Sequence, residues 1–120
     1  FVLSAGYYDA YYARAQKVRR LIRDETLRMM KECDFILTPT TTGTAFKLGQ
    51  KSNDPIAMYL EDIFTVQAPL AGIPGISLPL GKKSNGMPFG IQLMSDMFSE
   101  HRLLSFSRWM TEKFSIPSKG

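Results

Sequence analysis

The sequence predicts an α/β fold in which a mixed sheet is covered by helices. Three observations lead there. The periodic segments fall in the order helix, strand, helix, strand, strand, helix. The first of them is a long amphipathic stretch of the kind that lies across a sheet or bridges two parts of a larger body. Ser84-Asn85-Gly86 then separates two apolar runs as a hairpin turn would.

Taken in order, about Ser4 to Glu32 forms the longest periodic segment. Tyr11, Ala15, Val18, Ile22 and Met29 follow one helical line, with Leu21 and Met30 flanking it, Glu25 interrupting it and Leu27 pointing away. Steps of three and four residues put one side of this helix against a core. Phe35-Ile36-Leu37 is a continuous apolar run, expected as a strand covered on both faces. Pro39 must end its hydrogen-bonded part or place it at an edge. Thr40 to Asn53 is rich in Thr, Gly, Lys and Ser, with Ala45, Phe46 and Leu48 as apolar anchors. It exceeds the ~4–6 residues of an ordinary connection, and a loop of that length reads either as functional or as a tolerated surface loop.

The stretch from Asn53 to Gly81 organises the rest. Asp54 is placed as an N-cap and Pro55 at the first helical position, where a missing N–H costs nothing. Counting on from there, Met58, Asp62 and Thr65 share one stripe of a continuing helix, with Tyr59, Ile63 and Val66 beside it. Asp62 therefore lies among largely apolar neighbours, and no Lys or Arg stands three or four residues from it. A cation for this carboxylate must come from elsewhere. Pro69 is expected to stop helical hydrogen bonding, and Gly72, Pro74 and Gly75 to make a rigid turn. Ile76 to Leu80 reads as a strand and Phe89 to Met94 as its antiparallel partner. Ser99 is positioned to cap a last helix with Leu103, Phe106 and Met110 on one face and Leu104 and Trp109 alongside. The tail after Phe114 reads as frayed.

Composition narrows the function classes. At 120 residues the chain is about one domain, with a core large enough to need no staples. It begins Phe1-Val2-Leu3-Ser4, which reads as a piece excised from a longer protein. No apolar run approaches the ~18 residues of a membrane span, so no membrane partner is expected. The single cysteine, Cys33, excludes an internal disulfide, fits a reducing, cytoplasmic compartment, and is expected as a small core hydrophobe. The net charge of +4 gathers early, at Arg14, Lys17, Arg19, Arg20 and Arg23. That cluster reads either as the solvated face of an amphipathic helix or as a basic RNA-binding module. No aromatic is interleaved to stack a base.

The residues alone supply no catalytic set. His101, the sole histidine, sits at the polar start of the last helix and is expected at the surface. Gly75-Ile76-Ser77 lacks the glycine two residues after the serine that a nucleophile elbow requires, because Pro79 stands there. There is no Cys/His cluster, calcium loop or glycine-rich phosphate loop, so no metal site is assigned.

An ordered series of motifs adds to this reading. Gly6-Tyr7-Tyr8-Asp9-Ala10-Tyr11-Tyr12, Ala15-Gln16-Lys17-Val18-Arg19, Pro39-Thr40, Ala45-Phe46, Asp54-Pro55, Met58-Tyr59, Asp62, Leu70-Ala71-Gly72-Ile73-Pro74-Gly75 and Gly90-Ile91-Gln92 follow one another at set spacing. The series resembles the C-terminal part of the A subunits of aspartyl/glutamyl-tRNA amidotransferases, which are amidase-signature enzymes. The resemblance implies the C-terminal part of the amidase-signature fold, with residues 1–120 as a fragment of a single amidase domain. It also implies glutamine hydrolysis, with ammonia passed to a partner for amidation of misacylated Glu-tRNA(Gln) or Asp-tRNA(Asn). The nucleophilic serine, the second serine on a cis peptide and the lysine of that family belong to an upstream signature that this sequence lacks. The fragment alone is therefore expected to hold no catalytic residue and to be inactive. By the same resemblance Asp62 binds the α-ammonium of glutamine, and an arginine for the α-carboxylate belongs just before Phe1. The implied partners are the B and C subunits of the amidotransferase, with tRNA reached through the complex. ATP and Mg are used by the complex and no cofactor is bound by this piece. Thr42, Pro69 and Leu80 depart from the family pattern, which commonly has proline, asparagine and cysteine there. Two alternatives remain: an amidase acting on another small amide, and the basic RNA-binding module. A sheet edge left uncovered in the fragment is able to pair with a second copy, giving a dimer.

Overall fold

The computed structural model describes residues 11–49 and 55–114. The start of the first helix, the Asp54 cap and the tail after Phe114 lie outside them. The elements are α1 (Ala13–Met30), β1 (Ile36–Pro39), α2 (Pro55–Glu61), α3 (Gln67–Ala71), β2 (Gly75–Lys82), β3 (Pro88–Met94) and α4 (Glu100–Phe114).

The strands form one sheet in the order β1–β3–β2, and both pairings are antiparallel. β1 and β2 thus run in the same direction on either side of β3. The hairpin falls where Asn85-Gly86 places it, with Gly86 at φ 80° and Lys83 N–H donating to the Met87 carbonyl at 2.9 Å. Pro39 and Pro79 both lie on edge strands, where a missing N–H leaves no ladder bond unmade.

The sheet separates two apolar clusters, because successive β3 side chains point to opposite faces. Met94 lies in one with Met30, Ala68, Ala71 and Ile73, under α1 and α3. Leu93 lies in the other with Leu78, Leu103 and Met110, under α4. Leu93 and Met94 are 1% and 0% exposed, and burying each stabilises the fold by about 1.5–3 kcal/mol. Phe106 of α4 stacks on Phe35, ring centroids 4.6 Å apart, and so fastens the entry to β1. An exposed ion pair between Arg102 and Asp34 lies beside this stack.

Several expectations are corrected. The helix that begins at Pro55 does not continue through Val66: it ends at Glu61, and residues 62–66 turn before α3. Pro69 does not stop a helix but lies in the first turn of α3, where its missing N–H is harmless. In a continuing helix the ring would have met the Thr65 carbonyl, so the break falls upstream. Gly72 closes α3 in the left-handed region, φ 74°, with its N–H donating to the Ala68 carbonyl.

On α1 the buried line is Ile22, Thr26 and Met30 with Leu27 beside it, while Val18, Leu21 and Met29 are exposed. Only the C-terminal half of the helix buries side chains against α3 and the sheet. There the Thr26 hydroxyl donates to the Ile22 carbonyl at 2.7 Å and accepts from Gln67 Nε2 at 3.2 Å. Leu37 is 54% exposed rather than covered, because α4 crosses β2 and β3 and leaves the β1 edge open. Ala45, Phe46 and Leu48 are exposed and do not anchor their loop in either cluster. Cys33 is exposed in the turn after α1, its Sγ donating to the Met29 carbonyl at 3.3 Å, and is no core residue. Ser99 sits before α4, but its hydroxyl donates back to the Asp96 carbonyl instead of capping forward. His101 is exposed, as expected.

Candidate functional site

One row of polar side chains crosses the α1-side face of the sheet. Thr38, Gln92 and Ser77 are register partners on β1, β3 and β2 and share that face. One step on, Thr40 and Ser77 hydrogen-bond through their hydroxyls at 2.8 Å, reaching across Gly90. A Cβ on Gly90 would lie 3.1 Å from Thr40 Oγ1 and 3.2 Å from Ser77 Oγ, so the contact requires glycine at this position. Thr40 opens the long loop after β1. A groove of about 240 Å³ runs there between Thr41, Gly43 and Thr44 on one side and Pro79 and Phe89 on the other.

Asp62 opens the turn that Gln92 of this row touches. Its N–H donates to the Tyr59 carbonyl, and its own carbonyl accepts from the N–H groups of Thr65 and Val66 and from the Thr65 hydroxyl. The 62–66 turn is thereby closed on itself. Gln92 Nε2 ties it to the sheet by donating to the Phe64 carbonyl at 2.9 Å. The Asp62 carboxylate is exposed, and among the described residues it has no ion pair or hydrogen bond. It follows the C-terminal end of α2, whose last turn holds no basic residue. A helix C-terminus carries partial negative charge, so this carboxylate adds to a potential that favours a cation. Gly43 brings the long loop to the same helix end, where a Cβ would lie 3.9 Å from Glu61 Oε1.

The arrangement leaves the Asp62 carboxylate open to a cation. Among the described residues no base touches the Thr40 and Ser77 hydroxyls, and no group of three or more His, Cys, Asp or Glu could hold a metal ion. No described helix is long and apolar enough to cross a membrane. The basic residues of α1 are all exposed. Arg19 Nε donates to the Leu70 carbonyl at the end of α3, and Arg19, Arg20 and Arg23 line a groove of about 670 Å³ with Gln16 and Gly72.

A family model described as Amidase matches residues 1–104. The chain belongs to the amidase family. It is 58% identical over 105 residues to the A subunit of glutamyl-tRNA(Gln) amidotransferase from Thiobacillus denitrificans, covering 88% of this chain and 22% of that one. The corresponding protein of Pelagibacter ubique is 50% identical over 119 residues, 99% of this chain and 24% of that one. The crystal structure of the A subunit of glutamyl-tRNA(Gln) amidotransferase from Thermotoga maritima superposes with a TM-score of 0.82 at 47% identity, over 96% of this chain and 25% of that one. This amidase chain thus spans about a quarter of the length of these relatives, and its α/β fold is that of amidase-family structures.

Within the amidase chain, Thr40, Gly90 and Gln92, scattered along the motif series, meet on one sheet face, and Gln92 reaches the turn that carries Asp62. Sequence reasoning assigned a role only to Asp62. It missed Ser77 as Thr40's partner and Gln92 as the support of the turn. The signal that could have found them was a polar Gln92 inside the apolar strand Ile91 to Met94, a position that asks for a buried partner.

Proposed function

We propose that the chain is the C-terminal part of the glutamine-hydrolysing A subunit of a glutamine-dependent tRNA amidotransferase. In this reading Asp62 lies on the wall that receives the α-ammonium of glutamine. The observation that carries it is the Asp62 carboxylate, held on a closed turn at a helix C-terminus with no cation from the described residues beside it. An ammonium docking there gains a charge-assisted hydrogen bond and the helix-end potential together. Support also comes from the relatives at 50% and 58% identity, both of which are named as A subunits of this amidotransferase.

The chemistry of amide cleavage belongs, on this reading, to the portion of the parent protein upstream of Phe1. Ammonia released there passes to the B and C subunits, where ATP, Mg and the misacylated tRNA are used in the cytoplasm. The test is glutaminase activity of the full-length parent with its partner subunits, comparing wild type with Asp62→Asn. A large loss with glutamine at unchanged thermal stability is the expected result. Unchanged glutamine turnover would make Asp62 a structural residue and remove this role.

A further inference from the structure

We propose that Gln92 is the positioning residue for Asp62, an inference that rests on Asp62 receiving the substrate ammonium. The 62–66 turn has little else to hold it in place. α2 is only seven residues long, too short to be stable by its own hydrogen bonds. Ile63 and Val66 are 51% and 43% exposed, and the half-buried Phe64 joins neither apolar cluster, so apolar packing holds the turn only weakly. Among the described residues, the bond from Gln92 is the one hydrogen bond that reaches residues 62–66 from outside the segment 59–70.

Gln92 is built for such a task. It lies on the central strand, paired on both sides, and is 7% exposed. Its amide donates to Phe64 O, and Phe64 sits inside the ring closed by the Asp62 carbonyl with Thr65 and Val66. Fixing the Phe64 carbonyl therefore fixes the Asp62 backbone two residues away. The chemistry demands a neutral donor of this length. Asparagine is one methylene short, methionine fills the space without a donor, and an ionised glutamate would set an oxygen against the Phe64 carbonyl oxygen. A protonated glutamate, in contrast, restores the donor.

The experiment uses the full-length parent with its partner subunits and two substrates that share one amide: glutamine, and glutaramate, which lacks the α-ammonium. The readout is the ratio of their kcat/KM values, which does not depend on the fraction of protein folded. Asp62→Asn should collapse this ratio. Gln92→Met should lower it by roughly 3- to 10-fold, through the KM for glutamine, as one buried hydrogen bond would. Gln92→Glu should keep a near wild-type ratio at acid pH and lose it as pH rises through the carboxyl's titration. Buried, that carboxyl titrates above its ordinary range. Equal losses for both substrates in Gln92→Met, or an unchanged ratio while Asp62→Asn collapses it, would overturn the positioning role and leave the Asp62 reading standing. An unchanged ratio in Asp62→Asn would overturn both.

Discussion

The hydroxyls of Thr40 and Ser77 lie 2.8 Å apart across Gly90, joining the root of the long loop to the opposite edge strand. β1 and β2 never pair with each other, yet this contact spans the central strand between them. It exists because β3 presents no side chain at that point.

Gly90→Ala should therefore destabilise the fold by about 1–3 kcal/mol, the usual cost of forcing a methyl into a filled space. The added Cβ would also lie 3.2 Å from the Leu78 carbonyl oxygen, which is backbone and has little room to give. Thermal denaturation of the full-length parent is the check. Ser77→Ala, which removes only the hydroxyl contact, should cost less, about 0.5–1.5 kcal/mol.

Asp62→Asn should raise the KM for glutamine by roughly 10- to 100-fold, corresponding to about 1.5–3 kcal/mol for a hydrogen bond to a charged group. Stability should change little, since the carboxylate is exposed and no bond within the described residues uses it. Steady-state glutaminase kinetics beside a melting curve separate the two effects.

Thr26→Val should destabilise the protein by about 1–3 kcal/mol although it keeps the side-chain shape. Thr26 is 1% exposed, and its loss leaves the Gln67 amide without the partner it holds at 3.2 Å. A double-mutant cycle with Gln67→Met should show coupling, because removing both partners avoids the unpaired donor. Additive losses in denaturant titrations would rule the clasp out.

Gly72→Ala should cost about 1–2 kcal/mol, the penalty of placing a Cβ in the left-handed region. Open space surrounds this glycine, so the cost is conformational and not steric crowding by neighbours. Gly72→Asn should be milder, since asparagine tolerates this conformation better. The difference between the two variants in melting temperature tests the assignment.

The sequence by itself determined the local devices: the Asn85-Gly86 hairpin, the helical periodicity of α1 and α4, and the family through its ordered motifs. Each of these depends on φ/ψ preferences or side-chain spacing over a few residues, which a linear reading captures. The same reading carried the helix at Asp62 too far, because periodicity counts positions and does not register where a backbone turns to follow its neighbours. Only the tertiary structure decided which half of α1 is buried, why Leu37 is exposed, and what Gln92 and Ser77 touch. Those partners are 28 and 37 residues away along the chain. Such contacts arise from strand register and from the face α4 leaves open, which are properties of the packed sheet and of no single stretch of sequence.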